Sequence, residues 1–136
     1  KSITADPLQR VNTGDNTPAF LTVHLVPGDV CKITVAPKGA GSENKGALHM
    51  LVPADGLEGV KKAVVETVRH AGASPCPPMV IGVGIGGNME TACLCAKKAC
   101  ARDVNSRNPI RATHIASLPV AVNINCNAAR HAKAVL

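Results

Sequence analysis

Six cysteines, at positions 31, 76, 93, 95, 100 and 126, are the side chains best suited to chemistry in this 136-residue sequence, and their settings differ. Cys76 lies in Ser74-Pro75-Cys76-Pro77-Pro78. Pro75 fixes the backbone before it, and the two prolines after it cannot donate backbone hydrogen bonds, so the thiol sits in a rigid, non-helical turn. A thiol held so firmly is placed for a function. Cys93, Cys95 and Cys100 follow a C-x-C-x4-C pattern with a loose likeness to metal sites, but they fall in a predicted helix. There Cys93 and Cys100 share the packed face as small apolar residues and Cys95 points away. No Cys-x-x-Cys pair occurs, so the spacing of a zinc site is missing.

Two polar stretches offer binding groups. Pro37-Lys38-Gly39-Ala40-Gly41-Ser42-Glu43-Asn44 is a glycine-rich loop whose exposed amides and lysine suit an anion. It lacks the terminal Gly-Lys-Ser/Thr of a Walker loop. Residues 1–19 are dense in turn formers and read as an irregular segment, in which Asn12, Thr13, Asp15 and Asn16 either converge on one ligand or bond their own backbone. Gly82-x-Gly84-x-x-Gly87 has the form of a dinucleotide fingerprint, yet the acidic residue about 20 positions further on is replaced by the loop Asn105-Ser106-Arg107-Asn108. Nucleotide binding is therefore discounted. His70, in the last turn of a predicted helix, reads as a partner of the helix dipole.

Composition narrows the classes. With 46% hydrophobic and 18% charged residues the chain suits one globular domain with a real core. That core must come from Val, Ile, Leu, Ala and Cys, because the sequence has one Phe and neither Trp nor Tyr. The same shortage of aromatic side chains argues against nucleic-acid binding by base stacking. The net charge of +6 fits an anionic substrate, an acidic partner or a nucleic-acid backbone, and part of it is Lys61, Lys62, Lys97 and Lys98 on polar helix faces. No window is long and apolar enough to span a membrane, and no signal-peptide pattern opens the sequence, so a cytoplasmic protein with reduced thiols is expected.

The elements that must position these groups follow from periodicity. Residues 20–26 and 30–36 alternate about Pro27-Gly28-Asp29 and predict a hairpin, with Cys31 an ordinary strand residue. Gly46–Val52 is a further strand candidate. Asp55–Gly72 predicts a helix, with Asp55 capping, Glu58 three residues on, and Leu57, Val60, Val64, Val68 and Ala71 as its apolar stripe. Residues 78–84 form a short buried strand whose glycines turn into a second helix over 87–102, packed through Met89, Ala92, Cys93, Ala96, Ala99 and Cys100. Leu118–Asn125 is the last strand. The expected fold class is α/β in the α+β sense: one domain, a mixed β-sheet from 20–26, 30–36, 78–84 and 118–125, and two main helices on it.

Four stretches in order resemble the alpha subunit of the class I iron-sulfur fumarate hydratase and L-tartrate dehydratase family. They are Ala-Asp-Pro-Leu-x-Arg-x-Asn-Thr-Gly-Asp-Asn-Thr-Pro-Ala at 5–19, Pro-Lys-Gly-Ala-Gly-Ser-Glu-Asn at 37–44, Pro-Cys-Pro-Pro with Gly-Val-Gly-Ile-Gly-Gly at 75–87, and His-Ile-Ala-Ser-Leu-Pro-Val-Ala-Val-Asn at 114–123 leading to Cys126. The resemblance implies that residues 1–136 are part of a fumarase-type alpha-subunit catalytic domain. It implies a 4Fe-4S cluster on three cysteines with one iron open to substrate, Cys76 and Cys126 matching two of them. His114 resembles the family's active-site histidine, Lys38, Gly39, Ala40, Gly41 and Ser42 its carboxylate-contacting loop, and Asn12, Gly14 and Asp15 its active-site wall. The implied reaction is reversible hydration of fumarate to malate, as in the tricarboxylic acid cycle, with a beta subunit supplying arginine contacts and a base. A hetero-oligomer, or a homodimer of alpha subunits, is the implied assembly.

The sequence departs from the family at three places. The first cluster cysteine, in a Cys-Gln-Asp-Thr-Gly context, has no counterpart here, so the sequence starts inside the family's. A glycine-rich segment usual between the positions of Pro109 and Ile110 is missing, and Ala40 stands where glycine is common. Of a truncated gene product and a chain representing only its ordered part, the second is expected. Alternatives are an L-tartrate dehydratase alpha subunit or a cluster-free structural or assembly fragment. Cys76 and Cys126 are expected at one shared cavity near His114 and the 38–44 loop.

Overall fold

The computed structural model describes residues 3–102, 118–126 and 132–135. In chain order the elements are β1 (Thr4–Asp6), β2 (Val11–Asn12), β3 (Lys32–Val35), α1 (Ala40–Glu43), β4 (Ala47–Leu51), α2 (Gly56–Ala71), β5 (Met79–Ile85), α3 (Met89–Cys100), β6 (Leu118–Cys126) and β7 (Ala132–Val135). They fall into two compact units, one running to Ile33 and taking in the chain from Ala134, the other running from Thr34 to Lys133.

The larger unit is built on a three-stranded sheet of order β4-β6-β5, with both pairings antiparallel. β6 is the central strand and both its faces are covered, which is why Val120-Ala121-Val122 reads as an unbroken apolar run rather than an alternating one. On one face Val120 and Val122 pack with Ala63 of α2, and Leu51, Val60, Val64 and Val83 close around them. On the other face Ala121 meets Ala92 and Ala96 of α3, beside Leu48. Ile124 and Val120 are fully buried, and each such side chain contributes about 1.5–3 kcal/mol by leaving water. The α+β class with two main helices on a sheet is the one expected from periodicity.

Two glycines set the depth of α3. A Cβ on Gly84 would collide with the carbonyl oxygen of Ala92, and one on Gly82 with that of Ala96 and, at 2.6 Å, with Cys100 Sγ. The helix therefore lies on bare backbone, and its buried stripe is the narrow series Ala92, Ala96 and Cys100. The positive φ needed for the turn after the strand falls instead on Gly86 and Gly87, at 84° and 75°. Asn88 and Thr91 then cap the helix reciprocally: Asn88 Oδ1 accepts from Thr91 N, and Thr91 Oγ1 accepts from Asn88 N, each at 2.8 Å.

Several expectations need correction. Residues 20–26 form no strand, and of the predicted hairpin only β3 is present. Phe20, Leu21, Val23, Leu25 and Val26 are all exposed, so their alternation meets no surface among the described residues to pack against. The sheet takes β4 in place of that hairpin. Cys31 precedes β3 and is exposed. Cys93 is exposed as well, because the close approach of α3 narrows the packed stripe and leaves position 93 beyond it. Leu57 and Met89, also expected on packed faces, are 67% and 54% exposed. Asp55 does not cap forward into α2. Its Oδ2 accepts from Val52 N at 2.9 Å and closes the 3-10 turn Pro53–Asp55, while Glu58 pairs with Lys61.

In the smaller unit β1 and β2 pair antiparallel, Thr4 opposite Asn12. β3 and β7, each of which spans the division between the units and belongs to neither alone, pair as a separate two-stranded ribbon. Among the described residues no helix is long and apolar enough to cross a membrane.

Candidate active site

Cys126 closes β6, and its Cα lies opposite Met79, the first residue of β5. Cys76 is three residues before Met79, so its Cα is within about 11 Å of Met79's along the chain. Antiparallel pairing thus brings two segments fifty residues apart in sequence to one end of the sheet. Pro75 is fully buried whereas Cys76 is exposed. The turn is anchored by the proline and displays the thiol.

The 37–44 loop sits at the same end. Gly39 is extended at φ −80° and ψ 147°, after which α1 makes a single turn. Ser42 is buried, and its Oγ donates to Gly39 O at 3.1 Å. A Cβ on Gly41 would stand 3.0 Å from the carbonyl oxygen of Ser74, two residues before Cys76. The loop leans on the cysteine turn, and the absent side chain at 41 permits the approach.

Lys38 ties the loop to β6. Its Nζ donates to Ile124 O at 2.6 Å and to Ser42 Oγ at 3.2 Å, and pairs with Glu43 Oε2 at 3.1 Å. Glu43 Oε1 in turn accepts from Lys97 of α3 at 2.8 Å. Partial burial pushes the Glu43 carboxyl up, but the hydrogen bonds and charges of Lys97 and Lys38 outweigh it and hold the group below the usual glutamate range. Glu43, Lys97 and the Ile124 carbonyl were not picked out in the sequence. The Lys-x3-Ser-Glu spacing, one helical turn, was a signal for the first; nothing local signals the other two.

Cys100 adds a buried thiol behind the site. Its Sγ lies 3.3 Å from Asn123 O, and burial raises it above the ordinary thiol range. It is part of the packing of α3, as its position on the helix predicted.

Asn12, Gly14 and Asp15 belong to the smaller unit, where two of them bond the local backbone. Asn12 Oδ1 accepts from Gly14 N at 2.8 Å, with Gly14 at φ 85°. Asp15 Oδ1 accepts from Thr17 N at 3.0 Å and from Thr17 Oγ1 at 2.8 Å. The Thr17 backbone and hydroxyl bonds hold the Asp15 carboxyl below its ordinary range. His114 lies outside the described residues.

Residues 1–112 match the family described as Fumarate hydratase (Fumerase). The putative L(+)-tartrate dehydratase subunit alpha of Methanocaldococcus jannaschii is 46% identical over 101 residues, covering 73% of this chain and 35% of that protein. The L(+)-tartrate dehydratase subunit alpha of Escherichia coli is 40% identical in strain UTI89 and 38% in strain K12, each over 103 residues, 73% of this chain and 34% of the relative. The chain thus spans about a third of the length of these curated relatives.

Proposed function

This chain belongs to the fumarate hydratase family, and from that premise we propose that it supplies the cluster-binding part of a hydro-lyase alpha subunit acting on small hydroxy dicarboxylic acids. The observation that carries the reading is the pairing of Met79 with Cys126, which brings Cys76 and Cys126 to one end of the sheet, beside the 37–44 loop that Lys38 bonds to Ile124 O.

Whether these residues suit a 4Fe-4S cluster turns on the donors. Among the described residues no three side chains of metal-ligating type converge. An exposed thiol on an anchored turn and a cysteine closing the neighbouring strand fit two corners of a three-cysteine site. Cys76 and Cys126 are accordingly the proposed ligands, with a third to come from outside the motifs seen here. Once bound, such a cluster supplies a Lewis acid for departure of the substrate hydroxyl. The chain's own residues then have three tasks. Cys76 and Cys126 anchor. The backbone amides of Gly39, Ala40, Gly41 and Ser42 orient the acid. His114 is the proposed active-site histidine, and Asn12, Gly14 and Asp15 enter as substrate residues on the family motif alone.

The proposed reaction is reversible hydration of fumarate to malate, in association with a beta subunit. Dehydration of L(+)-tartrate is a second reading, favoured by the description of the relatives as L(+)-tartrate dehydratase subunit alpha. The test is anaerobic reconstitution of the complete alpha chain with its partner, followed by assays on fumarate, malate and L(+)-tartrate. Turnover of one of these acids is the expected result. A cluster-loaded complex inactive on all three overturns the proposal.

A further inference from the structure

The Lys38 ammonium hydrogen-bonds Ile124 O and Ser42 Oγ and is ion-paired with Glu43 Oε2, all inside the protein. Its side chain is only 18% exposed. Glu43, one of the three acceptors, is itself held on its other oxygen by Lys97 from α3. The group therefore joins the loop, the central strand and a helix, and it does so two residues before Cys126.

We propose that Lys38 is a positioning residue, not a substrate-contacting one: it fixes the C-terminal end of β6 against the 37–44 loop, and Glu43 and Lys97 fix Lys38. This rests on the reading of Cys126 as a cluster ligand for its consequence, but not for its geometry. The Ile124 carbonyl is the acceptor that matters. Its residue pairs with Ile81 on β5, so the ammonium bonds the strand at the last turns of the ladder before Cys126 and Met79. Ser42 Oγ completes the knot by accepting from Lys38 while donating to Gly39 O, which keeps α1 closed around the lysine. With its ammonium so held, Lys38 is directed into the protein and not at a substrate carboxylate.

The test compares Lys38→Met, Lys38→Arg, Glu43→Gln and Lys97→Met in the complete alpha chain with its partner, through three readouts. Amide exchange over residues 79–81 and 123–126 should quicken by about tenfold in Lys38→Met, less in Glu43→Gln and least in Lys97→Met. Iron bound after anaerobic reconstitution should fall in the same order, with Lys38→Arg restoring part of it because a guanidinium offers several donors. KM for the dicarboxylic acid, measured per loaded enzyme, should stay within about twofold of the parent in every variant. Unchanged exchange and iron content with KM raised tenfold or more would overturn the proposal and return Lys38 to the substrate. If Lys38→Met does not fold, Glu43→Gln decides by the same readouts. If the parent chain turns over none of the acids, the functional reading fails separately, and the exchange rates still decide the role of Lys38.

Discussion

The run Val120 to Ile124 and the run Phe20 to Val26 are both apolar and β-branched, yet the first is buried throughout its hydrophobic positions and the second is exposed at every one. Val120 and Val122 have a strand on each side, Ile124 has β5 on one, and helices cover both faces of β6, whereas Phe20 and Leu25 are 95% and 96% exposed. Composition does not separate the two runs. What separates them is the presence of neighbours, and β propensity describes a fit to a half-buried surface that must be supplied from elsewhere in the chain.

The largest effect should come from the centre of the buried run. Ile124→Ala should destabilise by about 2–5 kcal/mol in a denaturant titration, through lost burial and the cavity left behind. Gly84→Ala should follow, at about 3 kcal/mol, because the new methyl group meets the backbone of Ala92 and α3 must lift from the sheet. Hydrogen-exchange signals from α3 should report that displacement. A change within about 0.5 kcal/mol for either substitution would break the comparison, because it would mean the β6 core is not tightly packed.

The charge cluster gives a smaller, pH-dependent effect. The Glu43 carboxyl is held below its ordinary value in the folded chain, so the stability it contributes is present above that ordinary value and is lost as pH falls through the depressed one. At 43% exposure the contribution is under about 1 kcal/mol. Glu43→Gln should flatten the acid limb of the stability curve over that window, and an unchanged curve would count against the Lys97–Glu43–Lys38 arrangement.

The smallest effect sharpens the contrast. Leu25→Ser, at a position 96% exposed, should change unfolding free energy by no more than about 0.5 kcal/mol. A cost near that of Ile124→Ala would show that the run has a partner after all.

How far the sequence went depended on whether the signal was local. Both helices announced themselves through their apolar stripes, and Gly72 ended α2 as read, with φ 55°, whereas the expected Asp55 cap turned back to Val52 instead. β5 and β6 were legible as short apolar runs, and Cys76 as a rigid turn. The hairpin over 20–36 was misread because alternation records a preference and not a partner. Cys93 was misread because the width of a packed stripe depends on how near the helix lies, and that is set by Gly82 and Gly84 on another element. Those glycines looked like turn formers or a phosphate fingerprint; a missing side chain can also be a place for a helix, and only the partner tells which. The bond from Lys38 to Ile124 spans 86 residues and has no sequence signal.

The central claim is that Cys76 and Cys126 are two ligands of one cluster at the end of the sheet, and iron and sulfide content measured across cysteine variants tests it most directly. In the complete alpha chain reconstituted anaerobically with its partner, Cys76→Ser and Cys126→Ser should each abolish the 4Fe-4S content and its absorbance, while Cys93→Ser, at an exposed helix position, should retain both. Retention of a full cluster in the Cys76 or the Cys126 variant would contradict the account.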